Sequence, residues 1–67
     1  MEEKLNILRE RCRTYKTRSK YTYKTIAEKI GIPYNSFRNF LSGTAISEQR
    51  FMLITVALDE LESKLLW

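Results

Sequence analysis

The chain's two glycines and single proline all fall within one stretch, GIPYNSFRNFLSG, at residues 31 to 43. Everything before Gly31 and after Gly43 must fold without either residue. A sheet-rich domain needs many tight turns, and tight turns draw on glycine and proline. The remaining composition is rich in Leu, Ile, Lys, Arg and Glu, which are good helix formers. The expected class is therefore all-α. The 67 residues suffice for one domain around one small core.

Helix starts are marked by a pattern that occurs at three places. Tyr21-Thr22 precedes Ile26, Ile32-Pro33 precedes Phe37, and Ile46-Ser47 precedes Phe51. In each, an apolar residue before the cap can pack on the fourth helical residue. Thr22 and Ser47 can accept from free backbone N–H groups. Pro33 offers no side-chain acceptor and starts a helix through its fixed φ. Helices are expected over 23–30, closed by Gly31, over about 34–42, closed by Gly43, and from about Glu48.

Ahead of these, Leu5, Leu8, Cys12 and Tyr15 form one helical stripe, so a first helix should run from about Glu2 to about Tyr15 or a little beyond. KTRSK at 16–20 has no apolar residue and reads as a loop. FMLITVAL at 51–58 has a strand's composition, since short apolar runs do not discriminate. Phe51, Ile54, Leu58, Leu61 and Leu65 nevertheless keep a helical spacing with no turn residue between them. One helix to about Leu66 is expected, its first half apolar all round and buried.

Several chemistries are excluded. The chain has one cysteine and no histidine. An internal disulfide, the usual zinc spacings, and Ser–His or Cys–His nucleophile pairs are all ruled out. The carboxylates mostly sit beside lysines or arginines, as on solvated helix faces. No enzyme activity, metal or cofactor is expected. No run has the length of a membrane span and no signal peptide is visible, so the expected location is the cytoplasm.

The net charge is +4, and it is unevenly spread. Arg9, Arg11, Arg13, Lys16, Arg18, Lys20 and Lys24 are opposed within their stretch by Glu10 alone. Residues 45 to 67 carry more acidic than basic groups. A basic front half suits one face turned to a polyanion. Ordinary solubility explains the charge equally well.

Two helices joined by a tight glycine turn make a helix-turn-helix. YTYKTIAEKIGIPYNSFRNFLSG, 21 to 43, resembles the core of the lambda-repressor-like, Cro/Xre-type DNA-binding domains. The matching features are Thr22, Ile26-Ala27, Ile30-Gly31-Ile32, Phe37, Phe40 and Gly43. The family implies a compact bundle of four to five helices. Residues 1–67 then form a single domain, with the helix-turn-helix core over 22–42. Pro33 stands where the family often has a Ser or Thr cap, and the stretch between Arg9 and Tyr21 is longer than usual.

Independently of the family, Ala27 is small enough for two helices to cross closely. At about 100° per residue, Phe37, Phe40 and Leu41 share one arc of the third helix. Tyr34, Asn35, Arg38, Asn39 and Ser42 share the opposite one. Asparagine can pair bidentately with adenine, and arginine with guanine, in the major groove. Asparagine is a poor helix former, and a merely solvated face would use Glu, Lys or Gln.

The resemblance places the first turn of this helix against base edges. Tyr34, Asn35 and Asn39, then Arg38 and Ser36, are the expected base contacts. Tyr34 suits a sugar or a thymine methyl equally well. Phosphate contacts are expected from Thr22, Tyr23 and Lys24, from Ser42 and Thr44, and from Arg18 and Lys20. The family usually binds as homodimers on paired half-sites. The segment 58–67, through Leu58, Leu61, Leu65, Leu66 and Trp67, is the candidate dimer interface, unless it closes the monomer's own core.

The expected function is a sequence-specific duplex DNA-binding regulator of nucleoid-associated location, in the manner of a small phage or mobile-element repressor. Two alternatives remain: an architectural or excision factor acting with a recombinase, or a protein-binding adaptor holding an antirepressor or polymerase partner.

Overall fold

The computed structural model describes residues 2–65 and contains four α-helices in chain order, with no strand among those residues. They are α1 (Glu2–Ser19), α2 (Tyr23–Ile30), α3 (Tyr34–Ser42) and α4 (Glu48–Ser63). The all-α expectation is borne out. None of these helices is long and apolar enough to cross a membrane.

The expected caps form. Thr22 Oγ1 accepts from Thr25 N–H and Ser47 Oγ accepts from Arg50 N–H. Pro33 caps α3 with no side-chain hydrogen bond, so its backbone geometry alone sets the start at Tyr34. Gly31 is left-handed at φ 96°, and its N–H and that of Ile32 both donate to Ala27 O. Gly43, at φ 120°, donates to Phe40 O, and Thr44 donates to Asn39 O. Both glycines hold backbone that a Cβ would strain.

α1 corrects the expected loop at 16–20, because the helix continues through Ser19. KTRSK lacks apolar residues but also lacks any helix breaker. Lys16 and Arg18 complement the negative end of the helix dipole. Lys16 also lies 5.2 Å over the Tyr23 ring.

Lys20 then ends α1 in the left-handed region at φ 65°, donating to Lys16 O at 2.9 Å. A side chain there is strained where glycine is not. Lys20→Gly is expected to raise the unfolding free energy by about 0.5–1 kcal/mol in urea denaturation. A destabilised variant would show that the lysine side chain offsets its backbone strain.

α4 ends at Ser63, short of the expected Leu66, with Lys64 at the C-cap. Leu66 and Trp67 lie outside the described residues. The expected burial of its first half all round is also corrected. Met52, Leu53 and Val56 are 59%, 45% and 60% exposed, while Ile54 and Leu58 are fully buried. A chain of this size has too few other helices to cover both faces of α4.

Every helix contributes to the single core. Leu5, Leu8, Cys12 and Tyr15 come from α1, and Ile26, Ala27 and Ile30 from α2. Ile32, Phe37, Phe40, Ile54 and Leu58 complete it. Ala27 is wholly buried on α2, which packs on both α3 and α4. Burial pushes the Cys12 thiol up to about 12, so at neutral pH it stays protonated and packs as a small apolar group.

Candidate nucleic-acid interface

α3 is anchored on one side and open on the other. Phe37 and Phe40 are fully buried. Their ring centroids are 6.5 Å apart, and Tyr23 meets Phe37 edge-on at 6.1 Å. The start of α2 is thereby fixed against the middle of α3. On the opposite arc Tyr34, Asn35, Arg38, Asn39 and Ser42 are all exposed, and Ser36 is half-buried. α3 carries no acidic residue at all.

α3 also lacks a basic residue in its last turn, so no charge there complements its negative end. α1 supplies the charge instead. Arg9, only 4% exposed, donates from Nε to Phe40 O at 2.7 Å and from NH2 to Thr44 O at 3.2 Å. Its NH1 donates to Asn6 Oδ1 at 2.7 Å and lies 3.4 Å from Glu2 Oε1. The guanidinium carbon stands 5.1 Å from the Phe40 ring centroid. Arg13 adds a bond to Leu41 O at 3.0 Å.

These contacts divide the basic front half that the sequence presents as one surface. Arg9 and Arg13 hold the end of α3. Arg11 pairs with Glu62 and Asp59 on α4. The hydrogen bond that Arg11 donates to the Glu62 carboxylate holds the guanidinium pKa above its ordinary value, against the opposing effect of burial. Three of the expected polyanion-facing charges therefore join the domain's own helices. Lys20 and Lys24 remain exposed, as does Arg18 on the last turn of α1.

The expected phosphate contacts fare unevenly. Lys24 and Thr44 are exposed, and Tyr23 is half-buried between Phe37 and Lys16. The Thr22 hydroxyl is engaged in its cap and with Thr25 Oγ1 at 3.1 Å. The Ser42 hydroxyl donates back to Arg38 O at 3.0 Å. Those two hydroxyls serve the helix ends first.

A shallow cleft of about 320 Å³ opens beside α3, between Ser36 and Asn39 on one side and residues 44–47 and Arg50 on the other. Arg50 was not among the expected contacts. It is the only basic residue of α4, three places after the Ser47 cap, and in the sequence that position reads as ordinary helix surface. The loop from Thr44 to Ser47 brings it next to Asn39. The cleft thus combines an amide, hydroxyls and a guanidinium, a set suited to base edges and phosphate oxygens.

No family model, curated protein or solved structure matches this chain.

The tail residues lie differently from the candidate dimer interface. Leu58 is fully buried, and Leu61 and Leu65 are half-buried against the same core. These three close the monomer, because the inner stripe of α4 continues past Ile54 onto α1 and α2. Leu66 and Trp67 lie outside the described residues.

Proposed function

We propose that this chain is a sequence-specific duplex DNA-binding regulator of the lambda-repressor-like kind, and that α3 enters the major groove. One observation carries the reading. α3 presents Tyr34, Asn35, Arg38 and Asn39 outward on a face without acidic groups, while Phe37 and Phe40 are wholly buried. A nine-residue helix held this firmly can present short polar groups in a defined geometry.

In this reading Asn35 and Asn39 take adenine edges, Arg38 takes a guanine edge or a phosphate, and Tyr34 packs on a sugar or a thymine methyl. Ser36 and Arg50 border the same groove wall. Lys24, Lys20, Arg18 and Thr44 meet the backbone on either side. The protein acts as a homodimer on paired half-sites, as a small phage or mobile-element repressor does. Its place is the nucleoid.

Selection from random duplexes tests the reading directly. A short palindromic consensus is the expected result. The absence of any enriched sequence sinks it and favours a protein-binding adaptor on the same scaffold.

Two substitutions divide base from backbone contacts. Asn39→Ala should relax preference at one position of the site and cost roughly 1–3 kcal/mol on the best sequence. Equal weakening on all sequences would remove Asn39 from the base contacts. Lys24→Ala should weaken every sequence alike and flatten the logarithmic salt dependence by about one unit.

A further inference from the structure

α1 and α4 advance side by side. Ile7 lies beside Phe51 and Thr55, and further along Arg11 lies beside Asp59 and Glu62. A groove runs between the two helices, and an apolar strip borders it. Ile7, 57% exposed, stands on the α1 side. Met52 and Val56 stand on the outer arc of α4, opposite the buried Ile54 and Leu58. Isolated exposed apolar residues need no explanation, but a strip shared by two helices does.

Carboxylates frame this strip. Glu3 and Glu10 stand one turn to either side of Ile7 and line with it an open groove of about 460 Å³. On α4, Glu48 lies one turn before Met52, and Glu60 one turn after Val56. Glu3, Glu48 and Glu60 form no ion pair among the described residues.

The cations nearby are mostly engaged. Arg11 is held by Asp59 and Glu62, and Arg13 by Glu10. Arg50, the only basic residue of α4, faces the cleft beside Asn39. Lys4 alone lines the groove without an ion pair among the described residues. A chain of net charge +4 thus presents an apolar strip edged by carboxylates.

We propose that this face docks a basic amphipathic helix of a partner protein. The partner's apolar stripe covers Ile7, Met52 and Val56, and its flanking Lys or Arg residues meet Glu3, Glu48 and Glu60. Two neighbouring helices offer a third the groove between them, and a methionine adapts to the side chain that enters.

Charge selects this occupant over the others. A nucleic acid is repelled by the same carboxylates. A second copy fits no better, because both ends of the α4 strip are acidic. Either direction of pairing sets carboxylate against carboxylate, and like charges brought together suppress a partner. None of these residues belongs to the outward face of α3, so the inference does not rest on base reading.

Selection against the whole chain from displayed random peptides, about four helical turns long, tests the proposal. The enriched peptides should carry apolar residues at helical spacing with Lys or Arg on the flanks. One of them, synthesised and labelled, then serves as the probe in fluorescence anisotropy. Ile7→Asp and Val56→Asp should each weaken it at least about tenfold while leaving the helical circular dichroism unchanged.

Charge reversal gives a second reading at fully exposed positions. Glu3→Lys combined with Glu60→Lys should weaken the selected peptide and bind its lysine-to-glutamate form better than the wild-type chain does. The preference of these variants among duplex sequences should not change.

No enrichment, or enriched peptides without basic flanks, overturns the proposal. So does binding indifferent to the apolar substitutions, or a charge-reversed pair that recovers nothing. Self-association of the chain that Val56→Asp abolishes would also overturn it, by making a second copy the occupant. A chain that selects a duplex consensus but no peptide overturns this inference alone. One that selects peptides but no duplex overturns base reading alone.

Discussion

Replacing Arg9 with methionine should lower the unfolding free energy by about 2–3 kcal/mol, because hydrogen bonds to a charged group contribute about 1.5–3 kcal/mol. Methionine retains much of the stem's apolar packing but none of the donors. The carbonyl of Thr44 then loses its bond from NH2, and that of Phe40 loses its bond from Nε. Phe40 O keeps the N–H of Gly43, so it is not orphaned, which holds the estimate below that for a fully stripped buried acceptor.

Arg9→Lys is the informative companion. An ammonium carries the same charge but cannot fork between two carbonyls and an amide. It should recover only a minor part of the loss. Urea denaturation of the three proteins settles the matter. A methionine variant within about 0.5 kcal/mol of wild type would assign these bonds the small value of surface pairs.

Arg9 also marks the boundary of what the sequence makes legible. Caps, turns and stripes are local, and they read correctly. Thr22 and Ser47 accept where their positions imply, and Gly31 and Gly43 take positive φ. Leu5, Leu8, Cys12 and Tyr15 are all buried. The outward set on α3 follows from helical arithmetic alone.

What stays hidden depends on where a long side chain goes. Arg9 sits among other basic residues and reads as surface, yet it reaches an element 31 positions away. KTRSK reads as a loop from its polarity, although polarity without a breaker permits helix. FMLITVAL reads as buried all round because nothing local reveals how few helices remain to cover it. Arg50 joins the cleft only because the loop after Gly43 returns α4 beside Asn39. KTRSK is a local misreading, whereas Arg9, FMLITVAL and Arg50 depend on tertiary contacts that no spacing encodes.

Phe37→Ala should cost more than any other single truncation, about 3–5 kcal/mol, from lost transfer free energy and the cavity left behind. Phe37 is fully buried and is touched edge-on by Tyr23 from α2 and by Phe40 from its own helix. Its removal opens space at the point where α2 and α3 meet, and α3 has few other anchors. A domain this small has a total stability on the order of 3–10 kcal/mol, so the variant should be largely unfolded at the lower end of that range.

The pattern across α3 is the sharper test. Phe37→Ala should lose DNA binding in proportion to its unfolded fraction and show no change of sequence preference in what remains. Asn39→Ala should do the reverse, keeping its melting temperature while changing preference at one position. If Phe37→Ala altered preference while still folded, the buried arc would be setting the pose of the helix and not only its stability. If Asn39→Ala melted early, its exposed amide would be part of the scaffold. The two substitutions are two positions apart on one short helix, so only the division of its faces can separate their effects.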